Sequence, residues 1–420
     1  CLPYLWVTLM SQMSFMGYLP ELVVFDNLLY PGLAAACKGQ KPLNVRQAAG
    51  IIGTVEHGVR PRPSRAGLRR TGKDARVTDQ HAARLCRERW NAIAKPLFSL
   101  GRLEEAVCRL AAIQGTPEVD IGRRVCLVVC ADNGVVSEGV TQAVAGVTAL
   151  QAACIARGGA SVNAMARAAN CDVLAVDVGM LTEPEEPRLL RRKAARGTGN
   201  MAKGPAMTVE QLEATLKTGM DLAREMQEQG YQIICMGEMG IGNTTTTAAM
   251  ASVLLGQPPE AVTSRGAGLS DAGLVRKLAA VQSAIRVNRP DPKDPRDVLR
   301  KLGGFDIAAM AGICLGAEQH RMPVVVDGVI AAVAALAAVR MSPGCRDYLL
   351  ASHLSREPAA GLALEALGLQ PLIHADMALG EGTGAVALLP LLDLALAVYR
   401  DGNTFSALKM PAYQPQGGGA

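Results

Sequence analysis

The residue best placed for chemistry is a glutamate held between glycines, in Met377-Ala-Leu-Gly-Glu-Gly-Thr-Gly-Ala385, just ahead of an apolar helical stretch. Gly380 and Gly382 give Glu381 no neighbouring bulk, so a planar ring can approach it. Partly desolvated beneath such a ring, its carboxylate would rise in pKa and serve as a general base. The same position also suits a plain cap or dipole partner at a helix start. A second carboxylate, Glu238, lies in Ile233-Ile-Cys-Met-Gly-Glu-Met-Gly-Ile-Gly-Asn-Thr-Thr-Thr-Thr247. There Gly237, Gly240 and Gly242 let the backbone come close to a ligand. The N–H groups of the helix start beyond them, with Asn243 and Thr244, favour an anion such as a phosphate. Ser264-Arg-Gly-Ala-Gly-Leu-Ser-Asp271, followed by Lys277, is a second glycine turn whose Gly266 and Gly268 suit a phosphate or ribose contact. Ser352-His353-Leu-Ser355 offers hydroxyls to a phosphate, and Gly303-Gly-Phe-Asp306 reads as a helix entry with Asp306 near its N-cap. No G-x-S-x-G accompanies His353, which weakens a nucleophilic triad. His57, His81, His320 and His374 fit no role.

These residues sit at the ends of repeated units, each an apolar strand, a small polar turn and a helix. Val125 to Val129 ends at Ala131-Asp-Asn-Gly134, Val173 to Val176 at Asp177-Val-Gly179, and Ile233 to Met236 at the Glu238 turn. Pro323 to Val326 ends at Asp327-Gly328, and Tyr348 to Leu350 at Ser352-His353. Such alternation predicts an α/β fold with a mostly parallel sheet covered by helices, its polar tips converging beyond the strand C-termini. Helical spacing also marks Asp79 to Ala94, Leu103 to Ile113 and Thr244 to Leu255. Val324 to Val339 and Ala385 to Val398 are each shorter than about 18 residues and carry Asp327 or Asp393, so they read as buried helices and no membrane span is expected.

Composition narrows the function. Apolar residues make up 49% of the 420 positions and aromatics only 3%, a small-residue core of the kind found where helices lie closely on a parallel sheet. Much of the net charge of +5 comes from the run of basic residues between Arg60 and Arg89, and no basic and aromatic residues interleave, which argues against nucleic-acid binding. The 11 cysteines are scattered, several in apolar runs, and lack zinc spacing, as expected of structural thiols in a reducing, cytoplasmic setting. Residues 1–77 are expected to be a poorly ordered or spurious N-terminal extension, 78–400 the catalytic region and 401–420 a frayed tail.

Taken together, Ser99-Leu-Gly-Arg-Leu-Glu104, Ala131-Asp-Asn-Gly-Val-Val-Ser-Glu-Gly-Val140, Gly199-Asn-Met-Ala-Lys-Gly-Pro-Ala-Met207, Gly237 to Thr245, Gly303 to Asp306 and Leu379 to Gly384 give the stretch from Asp79 to Tyr399 its resemblance. It is similar to the nicotinate-nucleotide:dimethylbenzimidazole phosphoribosyltransferases, which make alpha-ribazole phosphate for the lower ligand of cobalamin. The resemblance implies a Rossmann-like sheet domain, a smaller helical domain built from both ends of the catalytic region, and a homodimer. It places Glu381 on the family's catalytic glutamate, Glu238 on a second active-site glutamate and Gln151 on a glutamine beside the acceptor base. Two departures stand out: Lys95-Pro-Leu-Phe-Ser99 lacks the usual Pro-Gly, and Ala143 stands where a serine often lies. The implied substrates are nicotinate mononucleotide and a benzimidazole-type base. Nicotinate leaves as a neutral pyridine, so no cofactor or metal is expected.

Two other classes fit parts of the chain. A phosphotransferase loop would want a lysine where Asn243 stands. A non-catalytic nucleotide or corrinoid-precursor sensor would have no use for both Glu238 and Glu381.

Overall fold

Runs of β-branched and other apolar residues build six strands: β1 (Arg124–Ala131), β2 (Asp172–Gly179), β3 (Leu190–Arg191), β4 (Ile233–Met239), β5 (Val324–Val326) and β6 (Leu349–Ala351). The computed structural model describes residues 77–143 and 146–414, within one compact unit. All neighbouring strands pair in parallel, in the order β3-β2-β1-β4-β5-β6. This is the order of a doubly wound dinucleotide-type sheet, in which the direction of winding reverses between β1 and β4 and ligands gather beyond the strand ends there. Glu238 is next to the last residue of β4.

Every β1 residue is buried, and its side chains alternate between two cores. Val125, Leu127 and Val129 face one side, with α5 (Val209–Glu228), α6 (Asn243–Leu255), α8 (Pro295–Leu302), α9 (Phe305–His320), α10 (Val329–Met341) and α11 (Ala359–Leu367). Cys126, Val128 and Cys130 face the other, with α1 (Gln80–Ala92), α2 (Arg102–Gln114), α3 (Val147–Arg157), α4 (Ser161–Ala168) and α12 (Thr383–Asp401). The remaining long helix, α7 (Asp271–Asn288), packs against α6. The expected alternation of strands and helices is thus realised, and period-2 side-chain alternation explains why β1 reads as one unbroken apolar run.

Helices from the two ends of the described chain pack together. The Trp90 ring of α1 packs tilted against that of Tyr399 of α12, centroids 5.0 Å apart, and Arg89 donates to the carbonyls of Tyr399 and Arg400. Arg124 at the start of β1 grips Asp393 of α12 through two nitrogens, at 2.8 and 2.5 Å. Glu104 is wholly buried, and Lys95 (2.6 Å), Arg87 (3.3 Å) and the Leu100 amide share its carboxylate. The Ser99 to Glu104 motif is therefore a structural corner.

Three sequence expectations change. The last helix has 19 residues, long and apolar enough by that measure to cross a membrane. It nonetheless buries Leu388, Leu389, Leu392 and Leu396 against the sheet and pairs Asp393 with Arg124. Val324–Val326 is strand alone, the following helix starting only at Val329. Residues after Asp401 are not frayed where they are described: Phe405 is buried and its amide bonds the carbonyl of Ala92. The expected extension 1–77 lies outside the described residues apart from Val77, as do positions 415–420.

Helices α5 and α9 cross where Gly219 meets Gly312. A Cβ on Gly312 would lie 2.2 Å from the Leu216 carbonyl oxygen, and one on Gly219 would lie 2.1 Å from that of Ala309. Both neighbours are backbone and cannot move aside. Gly312→Val is expected to destabilise the protein by about 3 kcal/mol, read as a fall in the thermal midpoint followed by circular dichroism.

Candidate active site

A cavity of about 300 Å³ opens beyond the C-terminal ends of β4, β5 and β6. Val140, Met239, Ile241, Val329, Ile330 and Leu379 give it an apolar wall, and Glu238, Thr244, His353, Ser355 and Glu381 give it polar groups. In pockets of this kind a few polar groups fix a ligand's orientation.

Among these polar groups stands Glu381. It has φ +60°, between Gly380 and Gly382 at +87° each, so three successive residues are left-handed. For a glutamate that conformation costs on the order of 1–3 kcal/mol and persists only where its surroundings fix it. They do so on several sides. Gln151 Nε2 of α3 donates to Oε1 at 2.5 Å, and the Val162 amide in the first turn of α4 donates to Oε2 at 3.2 Å. The loop lies on the sheet so closely that a Cβ on Gly237 would be 2.5 Å from the Glu381 carbonyl oxygen. Glu381 therefore leans on the start of α4, not on that of its own helix. A carboxylate has about four acceptor sites, so two remain for a ligand.

The first turn of α12 is pinned from below. Asp327, just past β5, accepts the Ala385 amide at 2.9 Å, and His353, just past β6, bonds Ser352 Oγ at 3.0 Å. A Cβ on Gly384 would fall 2.0 Å from His353 Nδ1, which explains the glycine. Burial raises the Asp327 carboxyl, and His353 beside it partly offsets this.

Glu238 is the neighbouring acid. A Cβ on Gly380 would come within 2.7 Å of its Oε1. Asn243, the first residue of α6, donates to Glu238 Oε2 at 2.5 Å and to Asp306 Oδ2 at 3.0 Å. Burial, reinforced by the charge of Asp306, pushes Glu238 up to about 8, and burial pushes Asp306 to about 6.

Beyond Asn243 the lining is rich in hydroxyls, with one buried amine. Lys277 of α7 donates to Thr244 Oγ1 at 2.9 Å beneath Gly266, and burial lowers it to about 8 although Glu357 opposes the shift. Ser264 bonds the Glu357 carboxylate, and Ser355 accepts the Glu357 amide.

Of the residues singled out in the sequence, Glu238, Gly240, Gly242, Asn243, Thr244, Gly266, His353, Ser355, Gly380 and Glu381 line this one cavity. Gln151, Lys277 and Asp306 stand behind its wall, each holding a lining residue. Gly382 lies against the sheet over Cys126, and Gly268 uses its carbonyl to bind Gln142. Asp306 stands two residues past Gly304, the N-cap of α9, at the helix entry where the sequence put it. Sequence reasoning missed Val162, whose only signal is a place near a helix start, and the anchoring of α12 by Asp327.

A phosphoribosyltransferase family model matches residues 75–409. A Ruminiclostridium cellulolyticum protein named nicotinate-nucleotide–dimethylbenzimidazole phosphoribosyltransferase is 42% identical over 328 residues, 78% of this chain and 93% of its own. The chain belongs to this family. A Thermus thermophilus phosphoribosyltransferase of the same name is 46% identical over 74% of this chain and 93% of its own. The crystal structure of CobT from Thermus thermophilus superposes with a TM-score of 0.75 at 44% identity, covering 79% of this chain and 99% of that one. The chain is therefore a phosphoribosyltransferase, and the six-stranded parallel sheet is the scaffold of its cleft.

A phosphate held by Lys277 is expected to bind in a pH-dependent way. Below about 8 its amine is charged and attracts a phosphomonoester dianion; above, the charge is lost. The dissociation constant of a phosphomonoester is expected to rise by about tenfold per pH unit above that point. Calorimetric titration across pH should give this slope in the native protein and a weaker, flat profile in Lys277→Met.

Proposed function

We propose that this phosphoribosyltransferase moves the phosphoribosyl group of nicotinate mononucleotide to dimethylbenzimidazole or a similar base, giving alpha-ribazole phosphate and nicotinate for cobalamin assembly. The names of its relatives support the substrates. The carrying observation is that one cleft is lined by Glu381, Glu238 and Thr244, with the buried amine of Lys277 bonded to Thr244. The phosphate is assigned to the Thr244 and Lys277 side, with Gly266, Ser355 and the start of α6 around it. The acceptor ring lies between Met239, Ile241 and Leu379, facing Glu381.

In the reaction, one benzimidazole nitrogen attacks the anomeric carbon as its other nitrogen gives its proton to Glu381. The bond to nicotinate breaks with its electron pair returning to the ring nitrogen, which cancels that nitrogen's positive charge. No proton is needed by the leaving group. Attack from the face opposite the leaving group converts a beta to an alpha linkage. Gln151 and the Val162 amide orient the Glu381 carboxylate, and ionised Glu238 opposes the positive charge that develops on the sugar. The catalytic machinery is assigned to residues 78–400, acting as a cytoplasmic homodimer. The nine described cysteines, all free thiols, fit a reducing compartment.

Mixing the protein with both substrates should release nicotinate only when the base is present, followed by chromatography of the products; release without base, or none, would overturn the assignment. Glu381→Gln is expected to lower kcat by about 10²–10⁴ while leaving KM for nicotinate mononucleotide within a few-fold. Steady-state kinetics checks both values.

A further inference from the structure

We propose that Asp306 is a positioning residue for Glu238: linked through the one side-chain amide of Asn243, the two buried carboxyls hold a single proton between them, carried by Glu238 until the cationic nucleotide enters. This deepens the proposed reaction and rests on it for the identity of the cation.

The geometry allows little else. Asn243 Nδ2 has two hydrogens, and it faces Glu238 Oε2 at 2.5 Å and Asp306 Oδ2 at 3.0 Å. Asp306 is wholly buried and Glu238 is 8% exposed. Asp306 cannot withdraw, because it is seated against two glycines: a Cβ on Gly240 would lie 2.3 Å from Oδ2, and one on Gly304 would lie 2.3 Å from Oδ1. At the start of α9 the Ile307 amide bonds Oδ1 at 3.0 Å, and Asn243 meets Oδ2. A residue serving its helix alone would need no second acid across the amide.

The groups around the pair are neutral or acidic. Cys130 and Asp132 come from β1 and the turn after it, Asn243 from α6, Asp327 from the end of β5 and the Glu381 backbone amide from the loop before α12. The polar side chains toward the proposed phosphate site are engaged elsewhere, Lys277 by Thr244 and His353 by Ser352. Two carboxylates sharing such a site cannot both be charged without compensation, so they titrate as a pair. Burial and the charge of Asp306 raise Glu238, and burial raises Asp306, so the pair holds its proton more tightly than free carboxyls do.

When a pyridinium nucleotide binds, its positive charge stabilises the Glu238 carboxylate and one proton leaves to solvent. The enzyme then carries a full negative charge against the sugar only while substrate is present. An empty cleft avoids the cost of two adjacent buried anions.

The test is a ¹³C NMR titration of protein labelled at the glutamate side-chain carboxyls, with the Glu238 signal assigned by its loss in Glu238→Gln. Glu238 should titrate well above the exposed glutamates, and Asp306→Asn should lower its midpoint by about one pH unit or more. Nicotinate mononucleotide should also lower the wild-type midpoint, with release of up to one proton seen as buffer-dependent heats of binding. The proposal fails if wild-type Glu238 titrates with the exposed glutamates, or if folded Asp306→Asn leaves its midpoint in place. Should Asp306→Asn not fold, Asn243→Ser removes the shared donor and must raise the Glu238 midpoint; no change there also overturns the idea. None of these readings needs turnover. A protein that titrates as described yet transfers no phosphoribosyl group would refute the proposed reaction and leave the carboxyl pair standing.

Discussion

Everything in the cleft depends on how closely the Gly380–Gly382 loop lies on β4. At Gly237 the strand has no side chain, and the Glu381 carbonyl occupies the space where one would be. That approach sets Glu381 in a left-handed conformation between two glycines, turns its carboxylate toward Gln151 and Val162, and brings Glu238 against Gly380. The strain of a left-handed glutamate is small beside the two hydrogen bonds and the packing that hold it. A carboxylate held this way loses little entropy when a ligand arrives, which is the sense in which a site is preorganised.

The sheet supplies the second constraint. Parallel strands end on one side, and the reversal of winding between β1 and β4 leaves a crevice that helix starts surround. The start of α6 carries Asn243 and Thr244, the start of α4 meets Glu381, and the start of α12 follows Glu381 directly. Two of these starts already serve carboxylates, Val162 donating to Glu381 and Ala385 to Asp327.

Close helix packing keeps the frame stiff. Gly219, Gly312 and Gly316 let α5 and α9 approach until backbone meets backbone. Asp306 lies in the first turn of α9, so the rigidity of that crossing bears on the placement of the carboxyl pair. Few aromatic residues take part, consistent with a core of alanine and valine in which small changes of volume are felt immediately.

Much was legible in the residues alone. The strand, glycine turn and helix from Ile233 to Leu255 showed as an apolar run, three glycines and a helical stretch, because local backbone chemistry decides such transitions. Glu381 between glycines marked itself for the same reason. The beginning of the last helix at Thr383 was less visible, since Gly382 as its N-cap looks like loop, and its run past Pro390 to Asp401 depends on packing against the sheet. Tertiary structure alone decided which groups face which. Gln151 and Val162 reach Glu381 from 230 and 219 positions away, and Asn243 meets Asp306 across 63. No local pattern encodes such pairings, because they arise only when the order of strands brings distant turns to one end of the sheet. The sequence determined the elements and the kinds of chemistry they carry; the sheet order determined which acid meets Gln151 and Val162 and which shares the Asn243 amide with Asp306.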